Sequence, residues 1–142
     1  MRIAIGNDHA ATDLKFEIME YVKGLGHEVV NFGTDTHESC HYPEIGARVG
    51  HAVVEEGFDC GILICGTGVG ISIAANKVKG VRCALCNDPF AAKMTRLHND
   101  ANVLAIGGGM VGKNMALDIV ETFLNTEFSE GENHIRRIGL IE

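Results

Sequence analysis

The sequence predicts an α/β domain, a five-stranded parallel sheet covered by helices on both faces. Three observations carry that expectation. Short apolar runs ending in Gly or Asp alternate with segments of helical period. Several of those runs are apolar without alternation, as strands buried on both faces must be. The length of 142 residues, 46% of them hydrophobic, suits one domain spanning 1–142, large enough to bury roughly two thirds of its unfolded surface without metal or disulfide staples.

The elements follow in order. A first strand, Arg2 to Gly6, runs into Asn7-Asp8-His9. Leu14, Ile18, Tyr21/Val22 and Leu25 then keep the spacing of one helix face, and Gly24 and Gly26 close it. A second strand, Glu28 to Phe32, precedes a helix that starts near Pro43 and carries Ile45, Val49 and Ala52/Val53. The third strand, Gly61 to Cys65, passes through Gly66, Gly68 and Gly70 into a third helix. After a fourth strand, Val81 to Cys86, Asp88 reads as an N-cap and Pro89 as a first-turn proline, opening a helix with Phe90, Met94 and Leu97 on one side. The fifth strand, Asn102 to Ile106, ends in Gly107-Gly108-Gly109, and Met115/Ala116, Ile119/Val120 and Phe123 mark a fifth helix. The tail from Ser129 to Arg137 is polar and is expected to pack late or against a partner.

Charge and composition narrow the function classes. With 12 Lys and Arg against 19 Asp and Glu, the net charge is −7, which argues against a non-specific nucleic-acid binder built on clustered cations. No apolar run reaches the roughly 20 residues of a membrane-spanning helix. Five cysteines, an odd number with no secretory signal before them, point to a reducing cytoplasm. The spacing of Cys83 and Cys86 superficially matches a redox pair, but residues three apart on a strand face opposite ways at about 10 Å, beyond bridging range. Seven histidines fall in no metal-binding motif, so no metal is expected.

Ligands of an open parallel sheet bind outside the carboxyl ends of its strands, which is where chemistry is to be sought. The run GILICGTGVGIS is the sharpest signal: a buried strand, a thiol at its end, three alternating glycines, then a helix. Such glycines let successive backbone N–H groups converge on an anion at the helix N-terminus. An anion hole for a developing oxyanion fits the same geometry, as does a tight turn without a ligand. Cys65 sits where a helix N-terminus favours a thiolate. His9 and His98 are expected to face the same carboxyl edge as neutral-pH acids or bases.

Taken together, IGNDHA near the start, HYP at 41–43, ILICGTGVGISIAANKVKGVR at 62–82 and HNDANVLAIG at 98–107 closely resemble the ribose-5-phosphate isomerase B family, whose superfamily also holds galactose-6-phosphate isomerase. The resemblance implies a Rossmann-like α/β sandwich and a cofactor-independent aldose–ketose isomerase of a phosphorylated sugar working through an enediolate. It also implies a homodimer or homotetramer with sites at the subunit interface. On that likeness Cys65 is the base, and the N–H groups of Gly66, Thr67, Gly68, Val69 and Gly70 stabilise the enediolate. His98 helps open the sugar ring, Asp8, His9 and Asn99 contact substrate, and Arg137 binds phosphate. Gly109 and Asn133 stand where ribose-5-phosphate isomerases of this type commonly carry arginine. A hexose 6-phosphate or tetrose phosphate is therefore the alternative substrate to ribose 5-phosphate. A non-catalytic sugar-phosphate binder is the alternative of a different class.

Overall fold

The computed structural model describes all 142 residues. Five strands, β1 (Arg2–Asn7), β2 (Glu28–Asn31), β3 (Cys60–Cys65), β4 (Cys83–Leu85) and β5 (Val103–Gly107), form one sheet in the order β2-β1-β3-β5-β4. Every pairing is parallel. Six α-helices join them: α1 (Thr12–Gly24), α2 (Tyr42–Glu55), α3 (Val69–Asn76), α4 (Pro89–Asn99), α5 (Lys113–Asn125) and α6 (Glu132–Ile141). A short 3-10 turn, His9–Ala11, leads into α1 and is capped by Asp8, whose carboxylate accepts from the Ala10 amide.

Alternate residues of each strand feed separate cores. Ile3, Ile5, Ile62, Ile64, Leu104 and Ile106 pack on Ile18 and Val22 of α1, Ala92 of α4 and Ile119, Val120 and Phe123 of α5. Ala4, Leu63, Cys65, Val103 and Ala105 pack on Val49 and Ala52 of α2 and Ile71 and Ala75 of α3. Both faces of the sheet are covered, which is why its central strands show no polar alternation. No helix is long and apolar enough to cross a membrane.

Departures from the sequence expectation have local causes. The fourth strand is three residues long, because the Val81 amide turns back onto the Val78 carbonyl before pairing begins. The buried face of α4 is Ala92 and Thr95 rather than Phe90, Met94 and Leu97, and Phe90 is 70% exposed. The polar tail contains a full helix, α6, none of whose residues is buried and whose Ile135, Leu140 and Ile141 face outward. Lys15, on the α1 face shared with Ile18 and Val22, is completely buried.

Candidate active site

The carboxyl edge of the sheet gathers one half of the expected site. β3 ends at Cys65, paired with Gly107 at the end of β5, and the chain enters α3 through Gly66-Thr67-Gly68. Cys65 is buried, and its Sγ accepts a hydrogen bond of 3.1 Å from the Gly68 amide. An amide aimed at sulfur stabilises negative charge there. Gly68 can be nothing else: it sits at φ +78°, and a Cβ would lie 2.5 Å from Leu85 Cδ1 and 2.8 Å from the Ile106 carbonyl carbon. Gly70 is held by close approach instead, since a Cβ there would fall 2.5 Å from the Tyr42 ring.

The five expected amide donors divide. Gly68 donates to Cys65 Sγ and Val69 to Thr67 Oγ1 at 3.3 Å, whereas the amides of Gly66, Thr67 and Gly70, and beyond the expected set that of Ile71, have no acceptor within the chain. The last two belong to the first turn of α3, where a helix leaves its N–H groups unsatisfied and its dipole positive. Beside this loop lies the turn carrying Asp8 and His9. The Asp8 amide donates to the Ile64 carbonyl at 3.1 Å, and His9 Nδ1 accepts from the Cys40 amide at 3.2 Å. Asp8 is buried, its carboxylate occupied in capping.

His98, Asn99 and Arg137 are elsewhere. A helix that connects parallel strands runs antiparallel to them, so the C-terminal turn of α4 returns to the amino edge of the sheet. Asn99 lies there with its carbonyl accepting from Arg82 Nε at 2.9 Å, just ahead of β4. The expectation that His98 faces the carboxyl edge is thus corrected by helix direction. Four residues of β5 separate the two edges, about 13 Å at a strand's rise. Around His98 the α6 helix completes a second cluster: His134 stacks on the His98 ring at 4.3 Å between centroids. Partial desolvation, then the charges of His98 and Arg137, hold His134 below its ordinary pKa. Arg137 itself is exposed on α6.

Two residues outside the expected set join these clusters, Tyr42 against the α3 N-terminus and His134 against His98. The HYP run hinted at the first; no spacing in the polar tail shows a stacked ring. Cys60, Cys83 and Cys86 are set apart from the chemistry. All five are free, and burial pushes the thiols of Cys60 and Cys83 up to about 12 and that of Cys86 to about 11. No group of three or more His, Cys, Asp or Glu side chains is placed to hold a metal ion. The two main clefts, about 510 and 580 Å³, open at the amino edge and include no residue from Cys65 to Gly70.

Known proteins share this arrangement along the whole chain. Ribose-5-phosphate isomerase B of Clostridium thermocellum, a solved structure, superposes with a TM-score of 0.97 at 52% identity, covering 99% of this chain and 95% of that one. Ribose-5-phosphate isomerase B of Escherichia coli (strain K12) is 45% identical over 140 residues, 99% of this chain and 93% of its own. D-erythrulose-4-phosphate isomerase of Pectobacterium atrosepticum is 39% identical over 145 residues, covering all of this chain and 95% of that protein. The model of the ribose/galactose isomerase family matches residues 3–141, and the chain belongs to that family.

Proposed function

We propose that the protein interconverts ribose 5-phosphate and ribulose 5-phosphate without a cofactor. The observation that carries this reading is the Gly68 amide on Cys65 Sγ beside a helix N-terminus with free amides. The thiolate removes the proton from C2 of the open-chain aldose, leaving an enediolate whose charge falls on O1 and O2. Returning the proton to C1, with the hydroxyl proton passing from O2 to O1, gives the ketose. Backbone donors aimed at the enediolate oxygen suit this step, because one such donor is worth about 3 kcal/mol at an oxyanion. They need no net positive charge, so an acidic chain serves an anionic substrate.

The catalytic pair Cys65 and His98 then demands a second copy. One chain holds them at opposite edges of its sheet, so His98, Asn99 and the phosphate-binding Arg137 reach the Cys65 loop from a neighbouring subunit of a homodimer or larger homo-oligomer. The outward apolar residues Ile135, Leu140 and Ile141 of α6 support burial in such an interface. Five free cysteines fit a reducing, cytoplasmic setting.

Heavy-water incubation tests the reaction. Ribose 5-phosphate, allose 6-phosphate, galactose 6-phosphate and erythrose 4-phosphate are compared, with deuterium uptake beside the carbonyl as the readout. Uptake is expected to be fastest with ribose 5-phosphate and to vanish in Cys65→Ala. Faster uptake with a hexose or tetrose phosphate would reassign the substrate, and binding without uptake would make the protein a binder.

A further inference from the structure

Lys15 is the one charged side chain sealed completely inside the molecule; its ammonium lies over the Phe16 ring at 4.1 Å, and its hydrogen bonds all go to a single stretch of chain. It donates to the Thr34 carbonyl at 2.8 Å, to Asp35 Oδ1 at 2.5 Å and to Asn31 Oδ1 at 3.4 Å. Three protons meet three acceptors, the condition under which a buried ammonium is tolerated. The same stretch is laced further: Asn31 Nδ2 donates to Asp35 Oδ1 at 2.7 Å, and Thr12 Oγ1 donates to the Thr36 carbonyl at 2.8 Å. Four residues beyond Thr36, the Cys40 amide reaches back to His9 Nδ1.

That last contact decides a proton position. A backbone amide only donates, so Nδ1 of His9 must offer its lone pair, and the neutral ring carries its hydrogen on Nε2. A proton on Nδ1 would set two N–H groups face to face at 3.2 Å. We propose that Lys15 is a positioning residue: by gathering the Asn31–Asp35 stretch on α1, it sets the Cys40 amide against His9 and fixes the tautomer in which His9 presents an Nε2–H donor to a sugar oxygen. The last clause rests on the assignment of His9 to substrate contact; the tautomer does not. A lysine among Ile18 and Val22 is otherwise out of place on a core-facing helix stripe.

Histidine-selective ¹⁵N labelling of the full chain reads the tautomer directly, with His9 resonances assigned by their absence in His9→Gln. Near neutral pH the wild type is expected to show an acceptor Nδ1 and a protonated Nε2. Lys15→Met, checked as folded by circular dichroism, is expected to move both nitrogens toward the average of exchanging tautomers. Should that variant not fold, Asp35→Asn, altered at an exposed carboxylate, is expected to shift them in the same direction. A wild-type ring with its proton on Nδ1, or a folded variant that keeps the wild-type pattern, would overturn the proposal. On ribose 5-phosphate, Lys15→Met should lose less kcat/KM than His9→Gln, and the double variant no more than His9→Gln alone. Additive losses would mean that Lys15 acts on something other than His9. The spectra are recorded without substrate, so failure of the isomerase reading would show in the turnover assay alone.

Discussion

Mixing two inactive variants tests the division of the site between edges of the sheet. Under the proposed roles, Cys65→Ala removes the base and leaves His98 intact; His98→Asn does the reverse. Each homodimer carries two broken sites. A hybrid pairs the intact Cys65 of one subunit with the intact His98 of the other, so one of its two sites is whole and the second lacks both groups. Random pairing makes half of the dimers hybrids, so a two-fold interface restores about one quarter of wild-type activity in the mixture and about one half in the purified hybrids. The structural basis is the length of β5, Val103–Gly107, which sets the carboxyl edge with Cys65 about 13 Å from the amino edge to which α4 returns. No side-chain rotation closes that gap. The assay is co-refolding of differently tagged variants, tandem purification of hybrids, and turnover of ribose 5-phosphate. Hybrids that form but remain as inactive as their parents would refute the composite site and require both residues to act within one chain.

Other consequences can be measured independently. Gly68→Ala places a Cβ at φ +78° and 2.5 Å from Leu85; backbone strain and overpacking together should cost about 2 to 4 kcal/mol, a fall of roughly 6 to 12 °C in Tm by differential scanning calorimetry. Because the displaced amide is the one on Cys65 Sγ, kcat should drop roughly 10- to 100-fold as well. Asp35 is held below its ordinary pKa of 3.8 by its hydrogen bonds to Lys15 and Asn31. A depressed carboxylate contributes stability that is present above its unfolded pKa and lost as pH falls through the folded one. The stability gap between wild type and Asp35→Asn in urea titrations should therefore be full at pH 6 and close below pH 4. Alkylation at pH 8, followed by mass spectrometry, should find Cys60, Cys83 and Cys86 reacting roughly two to three orders of magnitude more slowly in the native protein than in the unfolded chain.

The sheet was legible because its strands are written in one register of chemistry. Ile62-Leu63-Ile64 and Val103-Leu104-Ala105-Ile106 have nowhere to go but between two helical layers. The Cys65 loop was legible for a similar reason, since Gly68 is a steric necessity that leaves a visible mark. What stayed hidden depends on partners rather than on period. Lys15 looks like an ordinary exposed lysine until Thr34 and Asp35 are brought to it across the fold. The α6 helix lacks a buried face in the single chain, so its apolar residues read as scattered in a polar tail. The edge at which His98 lies was readable as well, because a helix joining parallel strands must return to their amino ends.

The proposed reaction centre, split between the ends of two sheets, would tie turnover to abundance. Dilution below the dissociation constant of the pair would silence every centre at once, while each protomer kept its fold and its thiol. Specific activity would then rise with protein concentration, and a substitution on the outward face of α6 would be as disabling as one at Cys65. Encounter between copies would become the first step of the catalytic cycle.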